Sequence, residues 1–126
     1  MDNKEVTIIV PCYNVAKYVK KSIESLLNQT LKNIKIITID DCSTDNTYEI
    51  LKEIEKDNKD ILTVVKNEEN MGLAATRNKG IKLAETKYIG FIDSDDYVNP
   101  NYYEDLLAKI KENDAGVAIA NMVLVD

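Results

Sequence analysis

The chain contains no histidine. That absence removes histidine general bases, Ser-His-Asp triads and His-ligated zinc together. Cysteine is nearly as scarce, with Cys12 and Cys42 the two in the sequence. They read as reduced thiols of a cytosolic protein; a disulfide between them stays open if the strands they follow are neighbours. Arginine occurs once, as Arg77, among 16 basic residues. No apolar run approaches the roughly 18 residues of a membrane span, and no secretory leader precedes the first apolar segment. A cytosolic placement is expected, with peripheral attachment at the inner face of a membrane left to further segments. Positive charge is also short, and the net charge is −6. A nucleic acid or an acidic membrane would want a basic face, so neither is an expected partner. A phosphate-bearing ligand would need positive charge gathered locally or supplied by a metal.

What is present is an ordinary balance of 44% hydrophobic and 30% charged residues over 126 positions, enough for one domain with a core. Val6 to Val10 is an apolar strand ending at Pro11, and from Val15 a helical pattern runs through Val19, Ile23, Leu26 and Leu27. Ile34 to Ile39 is a β-branched run stopped by Asp40-Asp41, after which Ser43 to Asn46 offers caps for a helix bearing Ile50, Leu51 and Ile54. Ile61 to Val65 predicts a third strand, Gly72 opens a third helix through Leu83, and Tyr88 to Ile92 predicts a fourth strand. Asn99-Pro100 predicts a fourth helix with Asn as N-cap and Pro at its first position, and Gly116 to Val125 a fifth strand. Repeats, low-complexity segments and linkers are absent. Unbroken apolar strands alternating with helices imply an α/β fold: a doubly wound, mainly parallel, Rossmann-like sheet with helices on both faces.

Ligands of such sheets bind beyond the carboxyl ends of the strands, where the winding reverses. Those ends carry Pro11-Cys12-Tyr13-Asn14, Asp40-Asp41, Asn70-Met71-Gly72 and Asp93-Ser94-Asp95-Asp96. The polar residues collect on one edge.

Each group has a functional and a structural reading. Asp93 and Asp95, alternate carboxylates at a strand exit, suit a hard cation such as Mg²⁺ or Mn²⁺, or form a solvated acidic turn before the fourth helix. One of Asp40 and Asp41 can take a base N–H or ribose hydroxyl, while one can open an Asx turn with Ser43 and Thr44. Arg77 can clamp a diphosphate or pair with Glu68, Glu69 or Glu85. Gly72 supplies φ > 0 or a close backbone approach, or is a turn glycine. Tyr13 can stack on a base and Asn14 read its edge; alternatively Tyr13 packs on the sheet and Asn14 caps the first helix.

Taken in order, "TIIVPCYNVAKYVKKSIESLLNQT", "IITIDDCSTDNT", "NMGLAATRNKGI" and "YIGFIDSDD" resemble the donor-binding half of a family 2 glycosyltransferase of GT-A fold. The resemblance spans nearly the whole chain. It implies that Pro11, Tyr13, Asn14 and Asp41 hold the nucleotide base, and that Arg77, with Gly72 and Asn78, lies near the base and diphosphate. It assigns Asp93 to the ribose and Asp95 to the metal that bridges the diphosphate, with Ser94 between them and Asp93 a second carboxylate for the cation. It further implies Mn²⁺ or Mg²⁺ as cofactor, a nucleotide-sugar donor (a UDP-sugar), a glycan or other hydroxyl acceptor, and inverting transfer in polysaccharide biosynthesis.

Two departures stand out. The family has glycine after the acidic pair of the second strand where this chain has Cys42, which implies a slightly different backbone there. No residue matches the family's general base, so residues 1–126 are expected to be a single donor-binding domain whose acceptor half lies in further sequence. Self-association through apolar surface left exposed without that half is expected to give a homodimer. The alternative is a non-catalytic nucleotide-binding or interaction module. A haloacid dehalogenase is disfavoured, since Tyr97 stands where that family has threonine and its acidic motif follows the first strand.

Overall fold

The computed structural model describes residues 4–113 and 122–124. Nine elements alternate: β1 (Val6–Cys12), α1 (Val19–Leu27), β2 (Ile34–Asp40), α2 (Thr47–Lys56), β3 (Leu62–Lys66), α3 (Leu73–Leu83), β4 (Tyr88–Phe91), α4 (Tyr102–Asn113) and β5 (Met122–Leu124). The sheet order is β3-β2-β1-β4-β5. The first four strands are parallel, with Val6 opposite Ile34 and Tyr88, and Ile36 opposite Leu62. β5 is antiparallel to β4, so the sheet is mainly parallel, as expected, with one antiparallel edge strand. The expected strand began at Gly116, and residues 116–121 lie outside the described residues. Among the described residues no helix is long and apolar enough to cross a membrane.

Period-two alternation sorts the strand residues between two helical layers. Val6, Ile8, Val10, Ile34 and Ile36 are buried in one core with Ile23 and Leu26 of α1, Leu51 of α2, and Tyr103, Leu107 and Ile110 of α4. The opposite face receives α3, which seats by a glycine. A Cβ on Gly80 would lie 2.5 Å from Ile9 Cγ2 and 3.2 Å from Ile39 Cδ1, so only a residue without one lets this helix approach.

Two helices begin later than their patterns suggested. Val15 and Ala16 donate their backbone N–H groups to Thr47 Oγ1 (3.0 Å) and Asp45 Oδ2 (3.2 Å), tying them to the next loop, and regular α1 starts at Val19. α4 starts at Tyr102, after a turn whose carbonyls are shared with the end of α1: Asn99 O accepts Gln29 Nε2 (2.7 Å) as well as the Tyr102 N–H (3.1 Å), and Pro100 O accepts the Thr30 N–H (2.7 Å). The buried Gln29 side chain also accepts the Tyr103 N–H at 3.0 Å. An amide from the end of α1 thus does the capping that Asn99 was expected to do.

Candidate functional site

From β1 the chain winds out through β2 and β3, then returns to place β4 on the other side of β1. The carboxyl ends of β1 and β4 are therefore the point where the connections part, and a crevice opens between them. It is an open cavity of about 490 Å³ lined by Pro11, Cys12, Tyr13, Val15, Asp41, Asn70, Gly72, Leu73, Thr76, Asp93, Ser94 and Asp95. Seven of the residues singled out in the sequence meet there: Pro11, Tyr13, Asp41, Gly72, Asp93, Ser94 and Asp95.

The acidic pair at the end of β2 divides its labour. Asp40 is fully buried and makes the Asx turn, its carboxylate accepting the Ser43 N–H (3.2 Å) and the Ser43 hydroxyl. Asp41 faces the other way. Its Oδ1 accepts Asn67 Nδ2 at 2.9 Å and the Met71 N–H at 2.8 Å, and its Oδ2 accepts the Gly72 N–H at 3.0 Å. Burial alone would raise this carboxyl. The donors at Met71, Asn67, Gly72 and Thr76 outweigh burial and hold it below the usual carboxylate range. The same bonds fix the turn from which Gly72, at φ 89°, opens α3.

The first two loops are stitched side by side. Asn14, at φ 51°, accepts the Thr44 N–H on Oδ1 (2.8 Å), while its own N–H goes to Ser43 Oγ (3.0 Å). Asn14 neither lines the cavity nor caps α1; its side-chain oxygen holds the second loop. Of the residues expected to cap α2, Asp45 accepts the Thr47 N–H at its start (2.9 Å) while its other oxygen receives the first loop, and Asn46, at the N-cap, makes no side-chain cap bond. Cys42 adopts φ 62°, the region that favours glycine, so the backbone takes a glycine-type conformation with a cysteine in it.

Beyond β4, Asp93, Ser94 and Asp95 enter a tight turn closed by the Asp96 N–H on Asp93 O at 3.0 Å. Tyr103, buried on α4, anchors its approach by donating its hydroxyl to Phe91 O at 3.1 Å. One carboxylate oxygen each from Asp93, Asp95 and Asp96 lies within 4.8 Å of the others, all three residues being exposed. Arg77 pairs with Asp93 (Nη2 to Oδ1, 3.6 Å), not with a glutamate, and lies 5.9 Å from the Phe91 ring centre. Asn78, the next residue, is exposed and is not among the residues that line the cavity.

Four further residues contribute, of which Asn67 and Thr76 escaped the sequence reading. Asp96 joins the acidic cluster. Asn67 and Thr76 are buried beside Asp41. Cys12, named at the end of the first strand but given no ligand role, forms part of the cavity wall; burial first, then the charge of Asp40, pushes its thiol up to about 12, against the Ser94 hydroxyl, which lowers it. Although β1 and β2 are neighbours, Cys12 and Cys42 are both free thiols. Asn67 was findable in principle. The register Asp40 to Lys66 places the next pair, Asp41 and Asn67, side by side.

The profile of glycosyl transferase family 2 matches residues 7–126. The chain belongs to that family. This family 2 glycosyltransferase domain is 42% identical over 121 residues to glycosyltransferase GlyA of Streptococcus pneumoniae, covering 96% of this chain and 17% of GlyA. Among solved structures, S. aureus TarS 1-349 in complex with UDP-GlcNAc superposes with a TM-score of 0.79 at 36% identity, covering 87% of this chain and 32% of that one. The mannosyltransferase PcManGT of Pyrobaculum calidifontis, in complex with GDP-Man and Mn²⁺, gives 0.70 at 26% identity, covering 74% and 28%. The domain therefore spans about a third or less of each of these proteins.

Proposed function

We propose that the cavity between β1 and β4 binds the nucleoside diphosphate of a sugar donor, a UDP-sugar, and that the protein containing this domain transfers the sugar to a hydroxyl acceptor with inversion. The observation that carries this reading is the convergence of the first loop, Asp41 and Asp93-Ser94-Asp95 on one cavity at the switch point of the sheet. TarS, of the same fold, has been crystallised with UDP-GlcNAc, which supports uridine as the base.

In this reading Pro11 and the half-exposed Tyr13 flank the base and Asp41 offers it an acceptor. Asp93 takes the ribose. Arg77 stands beside Asp93 and meets the diphosphate, with Gly72 giving backbone access and Asn78 next to Arg77 on α3. Asn14 contributes by holding the first two loops together. Three exposed carboxylates within 4.8 Å of one another are a donor set that fits Mn²⁺ or Mg²⁺, and Asp95 with Asp93 would hold it. A bound cation there supplies charge neutralisation to the departing diphosphate. We assign no general base to this domain; the acceptor half, with that base, belongs to further sequence. We place the protein in the cytosol on its two free thiols. The homodimer we place on α3, where Ile81 and Leu83 are exposed; light scattering that reads a monomer at high concentration removes it.

Calorimetric titration with UDP, with and without Mn²⁺, tests the site. Binding that needs metal and disappears in Asp95→Ala is the expected result. Metal-independent binding would make Asp93 and Asp95 ribose or turn residues. Silence with UDP, GDP and dTDP alike would remove the donor-site reading.

A further inference from the structure

β2 and β3 run in register from Ile36 opposite Leu62 to Asp40 opposite Lys66, and the ladder continues when the Asn67 N–H donates to Asp40 O at 2.8 Å. Asn67 is 1% exposed, so its primary amide has two N–H groups and one oxygen to satisfy inside the protein. All are satisfied. Nδ2 donates to Asp41 Oδ1 (2.9 Å) and to Thr76 Oγ1 (3.2 Å), and Oδ1 accepts Lys79 Nζ (2.9 Å).

The chemistry of the neighbours leaves this amide one orientation. A lysine ammonium only donates and a carboxylate only accepts, so Oδ1 must face Lys79 and Nδ2 must face Asp41. A reversed amide would set NH₂ against ammonium and oxygen against carboxylate. An aspartate at position 67 would set two carboxylates against each other. Lys79 also polarises the amide toward Asp41, strengthening the N–H···O⁻ bond at its far end. Lys79 itself lies outside the donor cavity, in a cleft with Lys66, Glu68, Glu69 and Met71. Its influence on the cavity runs through Asn67.

We propose that Asn67 and Lys79 are positioning residues of the donor site: the Lys79–Asn67 relay orients the Asp41 carboxylate and, through it, the Met71–Gly72 turn that opens α3. This rests on reading the cavity as a nucleotide site. Asp41 lines the cavity and also holds the Met71 and Gly72 N–H groups. What it presents to a ligand is therefore set by its internal donors. The relay ties the ends of β2 and β3 to α3, so a charge one turn beyond Thr76 on the same face of α3 governs a contact inside the cavity.

The test joins two readouts on the 126-residue chain: amide hydrogen exchange at Met71 and Gly72, followed by NMR, and calorimetric UDP affinity in the presence of Mn²⁺. Lys79→Met should speed exchange at both amides about tenfold and raise the Kd for UDP about tenfold. Lys79→Arg, which still donates to Asn67 Oδ1, should restore both. Asn67→Asp should exceed Lys79→Met in both, and Lys82→Met, at an exposed lysine of the same helix, should change neither. If Asn67→Asp fails to fold, the Lys79 pair decides. Unchanged exchange in Lys79→Met overturns the relay, and faster exchange with unchanged UDP affinity overturns its bearing on the site. A wild-type chain that binds no UDP, GDP or dTDP refutes the nucleotide reading instead, and the exchange data then judge the relay by itself.

Discussion

Removing the Asp41 carboxylate should loosen the domain as well as the site, and the size of the effect can be worked from its partners. Asp41 is 5% exposed and, besides the Thr76 hydroxyl beside it, accepts hydrogen bonds from Asn67 at 2.9 Å, Met71 at 2.8 Å and Gly72 at 3.0 Å. Alanine leaves all three donors without an acceptor. Each stranded donor costs about 1–3 kcal/mol, and water from the cavity refills part of the gap, so about 3 kcal/mol is the net expectation. Asparagine keeps an oxygen for Asn67 and Met71 but turns NH₂ toward the Gly72 N–H, so about 1–2 kcal/mol is lost. In urea unfolding, with a slope of about 1.5 kcal/mol/M for a chain of this size, the midpoint should fall by about 2 M in Asp41→Ala and about 1 M in Asp41→Asn.

The pH dependence supplies a second arm. Burial raises the Asp41 carboxyl, but its hydrogen-bond donors outweigh that and hold it below the ordinary value of 3.8. A lowered folded-state value means that the contribution is complete above the unfolded value and is lost as pH falls through the lower folded one. The stability gap between wild type and Asp41→Asn should therefore be constant at neutral pH and shrink below about pH 4. An alanine variant with the wild-type midpoint would refute the idea that this carboxylate clasps the loops. So would a gap that persists undiminished well below the folded value.

Gly80→Ala should destabilise by about 1–3 kcal/mol, because its Cβ would meet Ile9 Cγ2 at 2.5 Å on a buried, β-branched side chain; an unchanged melting temperature would mean that α3 seats differently. Gln29→Ala strands the buried Tyr103 N–H and removes one of the two donors to the Asn99 carbonyl and should cost about 2 kcal/mol by denaturant unfolding while leaving the Kd for UDP unchanged. Weaker nucleotide binding there would show that the cap also sets the acidic turn. Cys12, with its thiol pushed to about 12 by burial, should resist iodoacetamide in the native protein at pH 8 while the part-exposed Cys42 is labelled. Mass spectrometry showing Cys12 modified first would overturn that order.

Legibility in the sequence tracked how local the cause was. The strands, helices and sheet class follow from β-branched runs and the 3.6-residue spacing of Val19, Ile23 and Leu26, which depend on neighbours a few positions away. The gathering of Pro11, Asp41, Gly72 and Asp93 follows too, because parallel strands deliver all their carboxyl ends to one edge. Helix boundaries were less legible. Val15 and Ala16 are held by Asp45 and Thr47, and the approach to α4 is held by Gln29, all partners far away in the chain.

The sequence by itself determined that an acidic chain without histidine would fold as a wound sheet and bring its polar strand ends together, since periodicity and composition are properties of the chain alone. The tertiary structure decided which of two adjacent aspartates turns inward to make a turn and which faces the cavity, a choice invisible in "DD". It decided that Arg77 would find Asp93 and that Asn67 would lie between Lys79 and Asp41. It also decided that β5 would run against β4. These are long-range pairings, fixed by strand register and by which donors and acceptors are left to satisfy once the core has closed.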